Sequence, residues 1–131
     1  MTSDGVKSES VAHFPDQSGI DSYGNGGFRF ADMSHKGSLL FLPSGVWEWP
    51  VVMGVKLAPA HFEKVFRDAA QMDFLILGTG EDITPPDRDL LDAFAANDIG
   101  LDAMNTGAAA RTYNVVLGEG RRFGAALIAV A

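Results

Sequence analysis

A chain of 131 residues, 47% apolar with nine Phe and two Trp, has the size and composition of one packed domain rather than of a disordered segment or two domains. It contains no cysteine, which excludes disulfides, thiolate nucleophiles and cysteine-ligated metal sites and fits a reducing cytoplasm. The net charge of −7 repels nucleic acid, whose binding rests on Lys and Arg, and no apolar run approaches the roughly 20 residues a membrane helix needs.

Residues 1–19 mix Ser, Asp, Gly and Lys without periodicity, match no signal or transit pattern, and read as a flexible leader before a single α/β domain over 20–131. Short β segments follow at 28–30 and 38–43, each behind a glycine-rich turn, "YGNGG" and "HKGS". Past the turn at Ser44 and Gly45, "VWEWPV" alternates, setting Val46, Glu48 and Pro50 against Trp47, Trp49 and Val51. These segments predict a β meander. The two Trp are expected to pack inside it; an uncovered Trp47 and Trp49 face would instead be a natural contact patch.

"APAHFEKVFRDAA" predicts an amphipathic helix with Pro59 in its first turn and Phe62, Val65, Phe66 and Ala69 on one stripe. The continuous apolar run "FLILG" from Phe74 predicts a strand covered on both faces. Thr84 is placed to cap a second helix, with Pro85 at its first position, Asp87 three residues beyond the cap, and Leu90, Leu91, Phe94 and Ala95 as its core face. "IGLDAMN" returns as a strand, "TGAAARTYNVVLGEG" as a third helix stopped by glycines, and residues 124–130 as the last strand. Alternating helices and strands predict right-handed crossovers and a central mixed, largely parallel sheet flanked by helices, with a smaller N-terminal β layer.

The turn "GTGED" after the apolar strand invites a test against nucleotide-binding loops. Gly78 and Gly80 match the first two glycines of G-x-G-x-x-G, but Ile83 stands at the third, and Glu81 and Asp82 bring negative charge where a pyrophosphate needs donors. No Gly-Lys-Ser/Thr follows, so a Walker loop fails as well. The glycines are read as a tight turn with positive φ, and no cofactor is expected.

The turn is still placed to line a cleft, because open α/β sheets bind ligands at strand carboxyl ends. Gly78, Thr79 and Gly80 end one strand, Thr106 and Gly107 open a helix after the next, and Arg111 lies one turn inside that helix. Together they are the candidate anion-binding residues, against the plainer reading of Arg111 as paired with Asp102 or covering an apolar stem.

Other candidates carry less chemistry. His13, His35 and His61 lack metal-ligand spacing and read as turn or surface histidines, and Ser44 lacks a nucleophile elbow and reads as a hairpin turn. Asp87, Asp89 and Asp92 fall opposite the apolar stripe of their helix, so no catalytic acid/base pair and no metal site is identified. Residues 73–102 hold eight acids and one Arg while the remainder is balanced, giving one acidic face: a solvated surface, or a docking site for a basic partner.

Four blocks, "DSYGNGGFRF", "HKGSLLFLPSGVWEWPV", "LILGTGED" and "MNTGAAARTYNVVLGEGRRFGAALIAV", resemble in order and spacing a small family that includes the mitochondrial complex I assembly factor three and uncharacterised bacterial and archaeal single-domain proteins. The resemblance covers about 20–130 and implies a compact α/β domain with no catalytic residues to carry over. For the mitochondrial member it implies a helper in building the peripheral arm of complex I through a protein partner. Relatives often carry Cys where this chain has Ala110, and the mitochondrial member lacks a basic residue at the position of Arg111. The expectation is a non-enzymatic binding or adaptor protein, with a protein partner, without nucleic acid or membrane insertion, and working in the cytoplasm. The alternative is a small-molecule or anion binder, or an enzyme, using the strand-end cleft.

Overall fold

The computed structural model describes residues 13–131; of the leader expected over 1–19, residues 1–12 lie outside them. Strands β1 (Ser22–Gly24), β2 (Gly27–Phe30) and β3 (Met33–Lys36) form a small antiparallel sheet. Strands β4 (Ser38–Leu42), β5 (Gly45–Trp49), β6 (Phe74–Gly78), β7 (Gly100–Met104) and β8 (Phe123–Leu127) form the main sheet in the order β5-β4-β8-β6-β7. There β6 runs parallel to both β7 and β8, while β4 is antiparallel to β5 and β8. The expected mixed sheet with a smaller N-terminal β layer is present.

Among the described residues three α-helices complete the fold: the short α1 (Glu63–Arg67), α2 (Arg88–Ala96) and α3 (Thr106–Leu117). The main sheet is covered on both faces. On one side Phe28, Phe30, Phe41, Ile76, Tyr113 and Phe123 join the small sheet and α3 into one core. On the other, Leu40, Trp49, Phe62, Leu75, Leu77 and Phe94 join α1 and α2 into a second. The alternation of Ile76 with Leu75 and Leu77 explains the unbroken apolar run of β6, since both of its faces are buried.

Several elements differ from expectation. Strands β1 and β3, "SYG" and "MSHK", carry no apolar signal and were not foreseen. They form because two-residue turns with positive φ, Asn25-Gly26 and Ala31-Asp32, fold them back onto β2. The first helix is interrupted: 3₁₀ turns at Pro59–Phe62 and Ala69–Gln71 flank a short α1. Ala58 has no side chain with which to cap, and the Asp68 carboxylate at the other end accepts from the Ser44 N–H.

The second helix starts at Arg88, capped by Asp87, whose Oδ1 accepts from the Leu90 N–H at 3.0 Å. The cap is not Thr84, because Thr84 and Pro85 each precede a proline and are driven to extended backbone. The buried face of this helix is also narrower than expected: Leu90 and Phe94 are buried, but Leu91 and Ala95 face solvent.

The chain packs before the expected domain start at Ile20. Phe14 bridges Val46 on the edge of β5, the Gln17 side chain donates to the Phe123 carbonyl, and Tyr113 Oη donates to the Ser18 carbonyl at 2.7 Å.

Candidate functional site

Strands β6, β7 and β8 run the same way, so their carboxyl ends meet at one end of the sheet. The expected candidate residues are indeed neighbours there, in an inner and an outer group. Gly78, Thr79, Gly80 and Thr106 are buried. The Thr106 hydroxyl donates to the Ile128 carbonyl at 2.7 Å and accepts from the Gly80 N–H at 3.0 Å. The Thr106 N–H reaches the Gly80 carbonyl at 2.8 Å, and the Thr79 N–H reaches the Met104 carbonyl at 2.9 Å. The N–H groups of Thr79 and Gly80 are thus already used to lock strand ends together.

The two glycines do different jobs. Gly80 has φ 112°, the left-handed turn foreseen for both. Gly78 does not share it: an added Cβ would stand 2.9 Å from Leu127 Cδ2 and 3.1 Å from Thr106 Cα, so glycine is needed for the close approach of α3 to β6. In the outer group, Gly107 and Arg111 sit at the start of α3 with Tyr23 over them. A Cβ on Gly107 would lie 2.6 Å from the Tyr23 hydroxyl and 3.6 Å from the Arg111 guanidinium. Asn105 caps this helix by accepting from the Ala108 N–H.

Beside the inner group, on the α2 side of the sheet, a cleft of about 340 Å³ opens between the loop after β5 and the loop after β6. Leu57, Leu77, Leu90 and Ile128 give it apolar walls. Two of its polar side chains are satisfied internally: Thr79 Oγ1 donates to the Asp82 carbonyl at 2.8 Å and accepts from the Thr84 N–H at 2.9 Å, and Asp87 caps α2. Lys56 and Asp87 pair across it at 3.5 Å.

The two loops that bound the cleft carry an exposed apolar rim, in which Val55 lines the cleft, Val52 and Met53 precede it on the same turn, and Ile83 precedes the lining residue Thr84. Val52 is 67% exposed, Met53 46%, Val55 41% and Ile83 59%. Three of these lie on a single turn, in which Gly54 has φ 95° and the Val55 N–H donates to the Val52 carbonyl at 3.3 Å. Such turns ordinarily carry polar residues. Met53 leans across to the other loop, where its Sδ accepts from the Glu81 N–H at 3.4 Å. No role was assigned to these residues in the sequence; the available signal was the run "PVVMGV", apolar through a glycine turn.

The remaining candidates have structural explanations. Trp49 is buried and donates to the His61 carbonyl; Trp47 donates to Ser44 and lies under Lys64, so these Trp do not form an open patch. His61 accepts from the Ala58 N–H at the start of its 3₁₀ turn. His35 sits on β3 rather than in a turn, 4.9 Å from the His13 ring, with a buried and unpartnered Nε2. Burial, and secondarily the neighbouring His13, lowers its pKa below the usual histidine value of 6.5. Among the described residues no three His, Asp or Glu are grouped to hold a metal, and no helix is long and apolar enough to cross a membrane.

Residues 20–128 match the family described as "Protein of unknown function (DUF498/DUF598)". The chain belongs to that family. It is 38% identical over 109 residues to an uncharacterised protein of Rhodobacter capsulatus, covering 83% of this chain and 82% of that one. It is 28% identical over 117 residues to the mouse "NADH dehydrogenase [ubiquinone] 1 alpha subcomplex assembly factor 3". That match covers 89% of this chain but only 63% of the longer assembly factor. Among solved structures, a Bartonella henselae protein described as an outer membrane protein superposes with a TM-score of 0.87 at 41% identity, over 91% of this chain and 100% of the other. The resemblance read from the four sequence blocks is therefore shown, and the relatives named for a role are assembly factors.

Proposed function

We propose that the protein is a non-catalytic binding protein that assists assembly of a larger, membrane-associated complex by surface contact, with respiratory complex I as the first candidate. The observation that carries this reading is the match to a named complex I assembly factor along nearly the whole domain. The chemistry of the strand-end cleft supports it. Walls of Leu57, Leu77, Leu90 and Ile128, with the Thr79 hydroxyl and the Asp87 carboxylate already hydrogen-bonded, suit recognition of an apolar surface better than activation of a substrate. We assign its work to the cytoplasm, without membrane insertion. Affinity purification of the tagged chain from its native cell tests the reading. A stoichiometric protein partner belonging to such a complex is expected; a chain that purifies alone and turns over a metabolite overturns it.

A second reading is favoured by the convergence of the Tyr23 hydroxyl and the Arg111 guanidinium over Gly107 at the start of α3. It is a small-anion site, narrowed from the six sequence candidates to the outer group. Sulfate would raise the melting temperature of the wild type, and Arg111→Ala would abolish most of that rise. An equal rise in both proteins removes the site.

A further inference from the structure

The apolar rim of the cleft is more exposed than stability of the fold explains. Val52, Met53, Val55 and Ile83 contribute little to the two cores, yet they lie on the two loops that bound one apolar-walled opening: Val55 is in its lining, Val52 and Met53 share its turn, Met53 reaches the Glu81 N–H, and Ile83 precedes the lining residue Thr84. Such a grouping, rather than single scattered side chains, marks an interaction surface.

We propose that this rim and cleft are the docking surface for a segment of another protein that inserts an apolar anchor residue and carries Lys or Arg beside it. The inference rests on the binding-protein reading above and gives it a location. The floor formed by Leu77, Leu90 and Ile128 supplies a desolvated pocket of the kind that anchor residues fill. The charge follows from the sequence of the second loop. Ile83 stands directly after Glu81 and Asp82, both exposed, and no ion pair engages either acid among the described residues. Lys56, the lysine of the lining, is already paired with Asp87. An arriving segment therefore meets an apolar pocket beside uncompensated negative charge, and basic flanking residues would both steer it and fix its orientation.

The same charges argue against a second copy of this chain as occupant, since two such rims would set Glu81 and Asp82 against their own counterparts. A small metabolite is disfavoured because the two side chains best placed to orient one from the buried end are consumed internally: Thr79 by Asp82 and Thr84, and Asp87 by Leu90 and Lys56.

The test is photo-crosslinking in the native cell with the full chain, carrying a benzophenone amino acid at Val52 or, as control, at Val115. Val115 is 64% exposed on α3, which packs on the opposite face of the main sheet. Expected is an adduct from the Val52 position to a protein segment that holds apolar residues with Lys or Arg close by. Its yield should fall about five-fold or more when Glu81→Lys and Asp82→Lys are added, with the melting temperature unchanged. No adduct at Val52, an adduct to the chain itself, an acidic segment, or a stoichiometric small molecule retained in native mass spectrometry would each overturn the proposal. A partner captured from Val115 but not from Val52 would leave the binding-protein reading intact and remove this surface from it.

Discussion

Asn114 holds Ile20 by both polar groups of its backbone: Oδ1 accepts from the Ile20 N–H and Nδ2 donates to the Ile20 carbonyl, each at 2.8 Å. One side chain on α3 thus does for Ile20 what a neighbouring strand would do, and it fixes the point where the chain enters the small sheet. Asn114→Ala leaves both groups without these partners and is expected to cost about 1–3 kcal/mol. Urea unfolding checks the cost. Hydrogen exchange should place the loss at Ile20 and Asp21 first, ahead of the central strands.

The Thr106 hydroxyl is the corresponding link at the strand ends, with Gly80 on one side and the Ile128 carbonyl on the other. Thr106→Val keeps the shape and removes both hydrogen bonds, so a loss of about 2–3 kcal/mol is expected. Thr106→Ser, which keeps the hydroxyl, should retain most of the stability in the same denaturation experiment.

Gly78→Ala should destabilise by about 1–3 kcal/mol, because its Cβ would press on Thr106 Cα and Ala109 as well as Leu127, and helix backbone cannot easily give way. The added Cβ of Gly80→Ala meets only the flexible Met53, so its cost arises from the positive φ instead. Thermal denaturation of the pair, with Met53→Ala added to each, checks that neither cost arises from contact with Met53. Trimming Met53 should relieve neither: Gly78 is blocked by other atoms, and Gly80 remains strained.

These positions also show what the sequence could and could not reveal. The central strand was legible because both faces of "FLILG" are buried, which leaves no polar interruption. The small sheet was half hidden: β1 and β3 have no apolar alternation, although Asn25-Gly26 is a strong hairpin signal. The Thr84 cap was misplaced because the two prolines act on the residues before them, which outweighs the attraction of a hydroxyl at that spacing. The meeting of the strand ends was readable from the alternation of elements. That Thr106 faces inward was not, since a helix-opening Thr looks alike whether it caps, binds or crosslinks. The apolar rim was missed because Val52, Met53 and Val55 fall between Trp49, where β5 ends, and the turn at Pro59, outside any β or helical period, so their exposure becomes unexpected only once folded neighbours are known.

Protonation of His35 should weaken the fold in mild acid. Its folded pKa lies below the unfolded value of 6.5, so the unfolded chain binds the proton more readily. The stabilisation is complete above 6.5 and is lost as pH falls through the lower folded value. The groups facing it are His13, which opposes its charge, and Glu48, which favours it. Melting temperature should therefore decline below pH 6.5, and His35→Gln should flatten that decline; an unchanged slope in the variant would assign the acid sensitivity elsewhere.

Deleting the gene and separating the membrane complexes on native gels, with metabolite profiling of the same cells, decides between a binding protein and an enzyme. The binding-protein account predicts partly built complex I, or another membrane-associated complex, at unchanged synthesis of its subunits, and restoration by the wild-type chain. Complexes at normal levels together with one accumulating metabolite would contradict it, since that pattern belongs to an enzyme whose reaction is missing.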